Sequence, residues 1–210
     1  MDIRIWKAEL HTAHIQLAAS DPILALLIDR YGNCTITPHN NYYGELVSAI
    51  IGQQLSEKAG ATIYKRFLTL FDNKLPTPEQ IIDIDTEAIR NIGCSYSKAG
   101  YMKDLAQHII DGRLDLAHIA TLPNDTVIEQ LVAVKGIGEW SAHMFMIFSL
   151  GRLDILPTGD LGVRKAMMQL YDLPELPKPA VMHEIALTHH WTPYQSIASW
   201  YMWKSLDNQA

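Results

Sequence analysis

The residues with the clearest chemical potential lie between positions 131 and 165, where a glycine-containing turn is followed by an aspartate. The turn has the sequence KGIG (135–138), and the aspartate is Asp160. Glycine has no Cβ and adopts positive φ readily, so backbone amides beside Gly136 and Gly138 can approach an anion closely. The sequence therefore predicts a main-chain phosphate site followed by a carboxylate. An ordinary corner between two helices is the alternative interpretation of the turn.

Asp160 directly precedes the helical pattern LGVRKAMMQL (161–170). Aspartate is a favoured N-cap, because its carboxylate accepts hydrogen bonds from the unpaired N–H groups that begin a helix, and such a cap contributes about 1 kcal/mol. From the residues alone, an N-cap is a sufficient explanation of Asp160. A chemical role is compatible with it, since a helix terminus can hold a carboxylate in one orientation.

Helical spacing of apolar residues continues through the whole chain, and no convincing alternating strand pattern occurs. The sequence therefore predicts an all-α fold, with a helix-hairpin-helix over about residues 123–150. The predicted helices cover 6–19, 22–32, 41–54, 56–71, 78–83, 86–92, 96–112, 123–134, 138–150, 160–171, 178–188 and 193–206.

The composition is that of an ordinary globular protein. The 210 residues are 48% hydrophobic and 19% charged, enough for one large core or two small helical lobes. The longest apolar runs are too short to cross a bilayer, and the charged N-terminus lacks the apolar core of a signal peptide. We therefore expect an intracellular protein without membrane contact, in the cytoplasm or nucleoid, or in the nucleus of a eukaryote.

Cysteine and histidine usage argues against a metal cluster. Cys34 and Cys94 are the two cysteines, and they form no CxxC pair, which excludes a disulfide framework and a four-cysteine zinc or iron–sulfur site. The nine histidines show no convincing zinc ligand set.

The net charge of −6 and the pI near 5.8 lack the basic character usual in DNA-binding proteins. Backbone amides can still hold phosphates, and a local group of basic side chains can assist them. We therefore expect modest, strongly salt-dependent affinity for nucleic acid. The candidates for that basic face are Lys58, Lys65, Lys98, Lys103, Lys135, Arg164 and Lys165.

Five segments carry a more specific pattern: AIIGQQLSEKAG (49–60), GCSYSKAGYMKDLA (93–106), GIGEWSAHM (136–144), PTGDLGVRKA (157–166) and WTPYQSIASWYMW (191–203). In this order they resemble the 3-methyladenine DNA glycosylase II family of the helix-hairpin-helix DNA glycosylase superfamily. The resemblance covers most of residues 40–205, and residues 1–20 match least.

The resemblance implies two helical lobes with a DNA-binding cleft between them. Residues 1–40 and 155–210 would form one lobe, and residues 41–154 the central lobe that carries the hairpin. The implied activity is hydrolysis of the N-glycosidic bond of 3-methyladenine and 7-methylguanine in damaged double-stranded DNA, during base excision repair. The protein would act as a monomer without an organic cofactor.

Asp160 lies where the family has its catalytic aspartate, twenty residues after Trp140. Its negative charge would stabilise an oxocarbenium-like sugar as the base departs, or it would orient or deprotonate the attacking water. Trp140 stands where bifunctional relatives have a lysine that forms a Schiff base, so the resemblance implies a monofunctional enzyme that leaves the strand uncut.

The resemblance also implies a base pocket and a DNA wedge. Trp140, Trp203 and Met144 would line the pocket, although packing in the core is the alternative for both tryptophans. Gln54, then Leu55, would fill the gap left by an everted nucleotide, with an exposed helix end as the alternative. Position 49 is alanine where adenine-specific relatives have a glutamate, so the pocket lacks an acid and suits a base that is already cationic.

The implied phosphate-binding hairpin departs from the family at one position, because Lys135 replaces the usual proline. The family's hairpin also coordinates a monovalent cation, Na⁺ or K⁺, through backbone carbonyls. The implied hairpin residues are Lys135, Gly136, Ile137 and Gly138, and the implied carbonyl ligands are those of Val132, Val134 and Ile137.

Two other functions stay open. A glycosylase for deaminated or oxidised bases would differ only in the pocket. A non-enzymatic helix-hairpin-helix module would bind DNA structure or recruit partners, but such a module needs only the hairpin, and Asp160, Trp140 and the two-lobed length argue against it.

Overall fold

The computed structural model describes residues 3–207, whose helices are joined by turns and loops and which contain no β-strand. The predicted all-α fold is confirmed. Residues 1–2 and 208–210 of the predicted terminal lobe lie outside the described residues. The helices are α1 (Ile3–Ser20), α2 (Pro22–Tyr31), α3 (Tyr42–Gly52), α4 (Glu57–Thr69), α5 (Pro78–Asp83), α6 (Thr86–Asn91), α7 (Tyr96–Ile110), α8 (Asn124–Val132), α9 (Glu139–Phe145), α10 (Leu161–Leu170), α11 (Pro179–Thr188) and α12 (Gln195–Leu206).

Two short irregular turns complete these elements: a 3₁₀ turn at Ile119–Thr121 and a π-helical turn at Met146–Leu150 that follows α9 directly. Among residues 3–207, none of the helices is both long and apolar enough to span a membrane.

Side-chain caps explain where several helices begin. Ser56 accepts a hydrogen bond from the Ala59 amide at the start of α4, and Ser95 accepts one from the Lys98 amide at the start of α7. Thr77 begins α5 with a reciprocal capping box. These local signals fix the register of the helices because they satisfy amides that would otherwise be unpaired.

Asn40–Phe145 form one compact unit, the central unit. In it α7 packs against α3, α5 and α6, while α3 packs on α4 and α8 pairs with α9. The core is made of fully buried apolar side chains, which are Val47, Ile50, Ile51, Phe67, Ile81, Ile89, Met102, Leu105, Val127 and Leu131.

Residues up to His39 and from Met146 onward form the second compact unit, the terminal unit. Here α12 packs against α1, α2 and α10. Its core includes the fully buried carboxylate of Asp21, which accepts hydrogen bonds from Tyr171 Oη and Trp191 Nε1 and also caps α2. Pairing of this kind compensates for burying a charge, so Asp21 has a structural role.

The second boundary between the units falls between Phe145 and Met146, whereas the sequence interpretation placed it between 154 and 155. The contacts of the π-helical turn explain the difference. The carbonyl of Ser149 accepts a hydrogen bond from the His39 amide, and the Phe148 ring lies against Trp203. Both partners belong to the terminal unit, so this turn is part of it.

Candidate active site

Asp160 is the N-cap of α10. Its Oδ1 accepts a hydrogen bond from the Val163 amide at 2.8 Å, and its backbone is extended, as is usual at an N-cap. The side chain is nearly buried, with Asp160 8% exposed. The capping role predicted from the local sequence is therefore confirmed, and it fixes one oxygen of the carboxylate.

Trp203 supplies a second donor to that same oxygen. Its indole Nε1 lies 2.8 Å from Asp160 Oδ1, across 43 positions of sequence. Gly162 makes room for this contact, because a Cβ at that position would lie 3.0 Å from Trp203 Cδ1 and 3.1 Å from Asp160 Oδ1. Two N–H donors, one from the helix end and one from α12, thus hold the carboxylate in one orientation.

Phe148 is a neighbour of this pair that the sequence interpretation missed. Its ring centroid lies 5.6 Å from that of Trp203, and the residue is 38% exposed. It lies in the π-helical turn, whose change of helical phase is not visible in the apolar pattern. The contact buttresses the indole that donates to Asp160.

Trp140 and Met144 lie on α9 in the central unit, whereas Asp160 and Trp203 lie in the terminal unit. Trp140 is 50% exposed, which contradicts the alternative that it packs in the core. Met144 is half-buried. Of the predicted site residues, Trp203 contacts the predicted catalytic Asp160 directly, through the hydrogen bond within the terminal unit.

The hairpin between α8 and α9 depends on one glycine. Gly136 has a φ of 85°, and a Cβ there would lie 2.2 Å from the Tyr101 ring, so no other residue fits without displacing that ring. Gly138 is not at positive φ and has open space around its Cα. The structure therefore requires glycine at the first position, and the open space at the second leaves room for a ligand to approach.

Lys135 explains why this hairpin does without a proline. Its backbone N–H donates to Asp104 Oδ2 at 2.9 Å, a bond that proline cannot make. Its ammonium lies 3.5 Å from Asp104 Oδ1 on a side chain that is 77% exposed. An aspartate on α7 thus replaces the rigid ring as the restraint on the turn.

The carbonyl groups predicted to hold a cation lie along this same stretch. Val134 O accepts a hydrogen bond from the Ile137 amide at 3.1 Å. Val134 and Ile137 are buried, whereas Val132 is 43% exposed. Among residues 3–207, no three side chains of histidine, cysteine, aspartate or glutamate converge as metal ligands.

The loop after α3 carries the predicted wedge. The sequence pattern extends this helix to residue 54, but α3 ends at Gly52 because Gln53 has a non-helical ψ of 131° and Gln54 a φ of 58°. The Gln54 side chain is exposed, as is Leu55. Gln53 is directed elsewhere, since its Nε2 donates to the Gly136 carbonyl at 2.7 Å. Of the two adjacent amides, Gln54 is the one presented to solvent.

Several members of the expected basic face stabilise the fold instead. Lys98 Nζ donates to the Ile51 carbonyl at 2.7 Å, and Lys103 Nζ donates to two carbonyls at the end of α5. Arg164 Nε donates to the Pro177 carbonyl. These side chains are half-buried and donate to backbone carbonyl groups, so three of the seven predicted cations help to hold the fold together.

The cysteines offer no competing nucleophile. Both are buried, and burial raises the pKa of the Cys34 thiol to about 12 and the pKa of Cys94 above its ordinary value. A thiol must be deprotonated to attack, so neither is reactive near neutral pH.

Residues 47–189 match the sequence profile of the HhH-GPD superfamily of base excision DNA repair proteins. DNA-3-methyladenine glycosylase 1 of Schizosaccharomyces pombe is 34% identical over 201 residues, which cover 95% of this chain and 86% of that protein.

Two solved structures are similar over nearly their whole length. A DNA-3-methyladenine glycosidase from Bacillus halodurans has a TM-score of 0.80 and 38% identity, covering 90% of this chain and 87% of its own. The 3-methyladenine DNA glycosylase of Schizosaccharomyces pombe, solved in complex with abasic DNA, has a TM-score of 0.81 and 33% identity, covering 93% of this chain and 97% of its own.

Proposed function

Because this chain belongs to the HhH-GPD superfamily of base excision DNA repair proteins, we propose that it is a monofunctional glycosylase of alkylated purines. It removes 3-methyladenine and 7-methylguanine from damaged duplex DNA, as a monomer inside the cell and without an organic cofactor. One observation carries the catalytic part of this proposal: the carboxylate of Asp160 is held by the Val163 amide and the Trp203 indole. Its negative charge is available in a fixed orientation.

The reaction breaks the bond between C1′ of the deoxyribose and the purine nitrogen, and the bonding electron pair leaves with the base. The sugar becomes an oxocarbenium-like cation, which the Asp160 carboxylate stabilises electrostatically. Water then forms the new bond to C1′, and its proton passes to that carboxylate or to solvent. The products are a free base and an abasic site in an intact strand.

The choice of alkylated purines follows from the charge of the leaving group. N3- or N7-alkylation makes a purine cationic, so the base departs as a neutral molecule and needs no protonation. An electron-rich indole attracts such a cation by about 1–2 kcal/mol where water is excluded. Trp140, half exposed on α9, and Trp203, beside Asp160, are the aromatic faces proposed for this role.

The test is incubation of the protein with methylated duplex DNA, followed by chromatography of the released bases. We expect 3-methyladenine and 7-methylguanine in the soluble fraction, and slower release of neutral lesions such as hypoxanthine. Release of uracil or 8-oxoguanine, with methylated purines left in the DNA, would instead support a glycosylase for other lesions. Binding without release of any base would identify a non-enzymatic module.

The absence of strand cleavage is a separate prediction. Trp140 occupies the position at which a lysine would form a Schiff base, and an indole cannot do so. Borohydride added during turnover should therefore trap no covalent protein–DNA adduct, and product strands should stay intact until alkali or heat is applied. A known bifunctional glycosylase is the positive control. A robust trapped adduct would contradict the monofunctional proposal.

The extrusion role of Gln54 gives the next prediction. Gln54→Ala keeps the backbone strain unchanged, because glutamine and alanine have the same Cβ, but it removes the side chain that would fill the vacated stack. We expect about a tenfold slower excision of 7-methylguanine from a paired site than for the wild type, and little change at a mispaired, already unstacked site. Gln107→Ala, an exposed glutamine on α7, is the matched control. Equal losses at both sites would exclude a wedge role.

A monovalent cation at the hairpin fits the donor set. Backbone carbonyl oxygens are hard ligands of the kind that Na⁺ and K⁺ accept, and Val132, Val134 and Ile137 lie close together in the sequence, from the end of α8 into the hairpin. The hydrogen bond at Val134 leaves that oxygen a second lone pair. A cation held there would add positive charge where the hairpin amides meet a phosphate.

A further inference from the structure

The loop that carries Gln54 and the hairpin that carries Gly136 are linked by a side chain to which no role has been assigned. Gln53 Nε2 donates to the Gly136 carbonyl at 2.7 Å, across 83 positions of sequence. The bond joins the residue immediately before the proposed wedge to the glycine on which the hairpin depends. Movement of either segment therefore stretches this bond.

Helix α7 supports both segments from one face. Lys98, Tyr101 and Asp104 are spaced three residues apart, so their side chains lie along one side of the helix. Lys98 holds the last turn of α3 through the Ile51 carbonyl, while Tyr101 packs against Gly136.

Asp104 completes this support by accepting a hydrogen bond from the Lys135 amide at 2.9 Å. The loop after α3 and the hairpin are thus positioned by a common helix, and Gln53 closes the connection between them directly. All of these groups belong to the central unit.

We propose that Gln53 is a positioning residue that sets the wedge loop in register with the phosphate-binding hairpin. When the hairpin amides engage a phosphate, Gln53 holds the loop so that Gln54 enters the stack at a fixed distance along the strand. Gln53 itself does not enter the DNA, because its amide donates to the Gly136 carbonyl. This inference rests on the proposed function, specifically on the roles of the hairpin and of Gln54.

The test uses Gln53→Met, which keeps the length of the side chain but removes its donor. One neutral hydrogen bond contributes about 1–1.4 kcal/mol, or a factor of about five to ten. We expect a loss of about five- to tenfold in the single-turnover excision of 7-methylguanine from a paired site, with little loss at a mispaired site. The thermal unfolding midpoint is measured alongside, and Gln53→Asn, whose amide is one methylene shorter, provides a second variant if the first does not fold.

A double-mutant cycle separates positioning from general stabilisation. If Gln53 acts through Gln54, the double variant should excise no more than about twofold more slowly than Gln54→Ala alone, because the wedge is already lost. Fully additive losses would overturn the inference. So would wild-type excision by Gln53→Met.

A second readout does not depend on excision. A duplex with 2-aminopurine opposite a tetrahydrofuran abasic-site analogue changes its emission when a side chain enters the stack. We expect Gln53→Met at saturating concentration to give a smaller change than the wild type, and Gln107→Met to match the wild type. If the wild type released no methylated purine but this pattern of emission held, the proposed substrate would be wrong and the positioning role would stand. Equal emission changes for the wild type and Gln53→Met would refute the positioning role.

Discussion

The Asp160→Asn variant is expected to release 7-methylguanine from methylated duplex DNA at least about 100-fold more slowly than the wild type. Asparagine is nearly isosteric with aspartate and caps helices well, so the amide oxygen can still accept from the Val163 amide and Trp203 Nε1. The lost property is the negative charge opposite the sugar cation. Removal of one preorganised stabilising group typically costs a factor on the order of 10²–10³ in rate.

Single-turnover kinetics with the DNA fully bound measure this effect, because they isolate the chemical step from binding and product release. The variant should melt near the wild-type temperature and bind an abasic-site duplex with similar affinity. Asp172→Asn is the matched control, since Asp172 is an exposed aspartate of the same unit at a positive φ that asparagine tolerates. Near wild-type excision by Asp160→Asn would show that the charge of Asp160 is not catalytic.

The second large effect is expected at Trp203, where Trp203→Phe should slow excision by about 10- to 100-fold. Phenylalanine retains an aromatic ring against Phe148 but has no N–H to donate to Asp160 Oδ1. Hydrogen bonds to charged groups contribute about 1.5–3 kcal/mol. The excision rate should fall because the Asp160 carboxylate loses the hydrogen bond that holds it in its orientation.

Two further variants, Trp200→Phe and Trp203→Leu, distinguish the possible roles of Trp203. Trp200→Phe replaces another indole on the same helix, whereas the indole that donates to Asp160 Oδ1 is that of Trp203. The Trp200→Phe variant should therefore excise at close to the wild-type rate. Trp203→Leu removes the ring as well as the donor. If leucine and phenylalanine slow cationic and neutral lesions alike, Trp203 positions Asp160; if leucine adds a loss specific to cationic purines, the ring also stacks on the base. No rate difference between Trp203→Phe and the wild type would exclude the positioning role.

Features encoded within a few residues were predictable from the sequence. The cap formed by Asp160 follows from its place before an amphipathic segment, and the hairpin at Gly136 follows from the interruption of helical periodicity. The all-α fold follows from the same periodicity. Resemblance to a family, rather than periodicity, supplied the chemical role of Asp160 and the order of the motifs.

Features that depend on distant partners were not predictable in this way. Nothing local identifies Trp203 as the partner of Asp160 or Gln53 as the partner of Gly136, because the partners are separated by 43 and 83 positions. The end of α3 was not predictable for a different reason, since neither the non-helical ψ of Gln53 nor the positive φ of Gln54 leaves a mark on the apolar pattern.

The predicted basic face shows a related limit of sequence interpretation. Composition counts Lys98, Lys103 and Arg164 as surface charges, but a long cationic side chain can equally reach back to a carbonyl group. In this structure each of the three does so. Whether such a side chain extends into solvent or donates to a carbonyl group depends on the packing of its helix, which cannot be derived from the sequence alone.

The bond between the Lys135 amide and Asp104 changes how the order of the hairpin is obtained. A proline restricts the chain before folding and so reduces the entropy lost when the turn forms. Lysine gives no such advance restriction, so this turn acquires its order only in the folded state, through a bond to α7. The turn therefore loses this restraint whenever the hairpin and α7 separate, and the protection of the Lys135 amide against hydrogen exchange reports how often they do so.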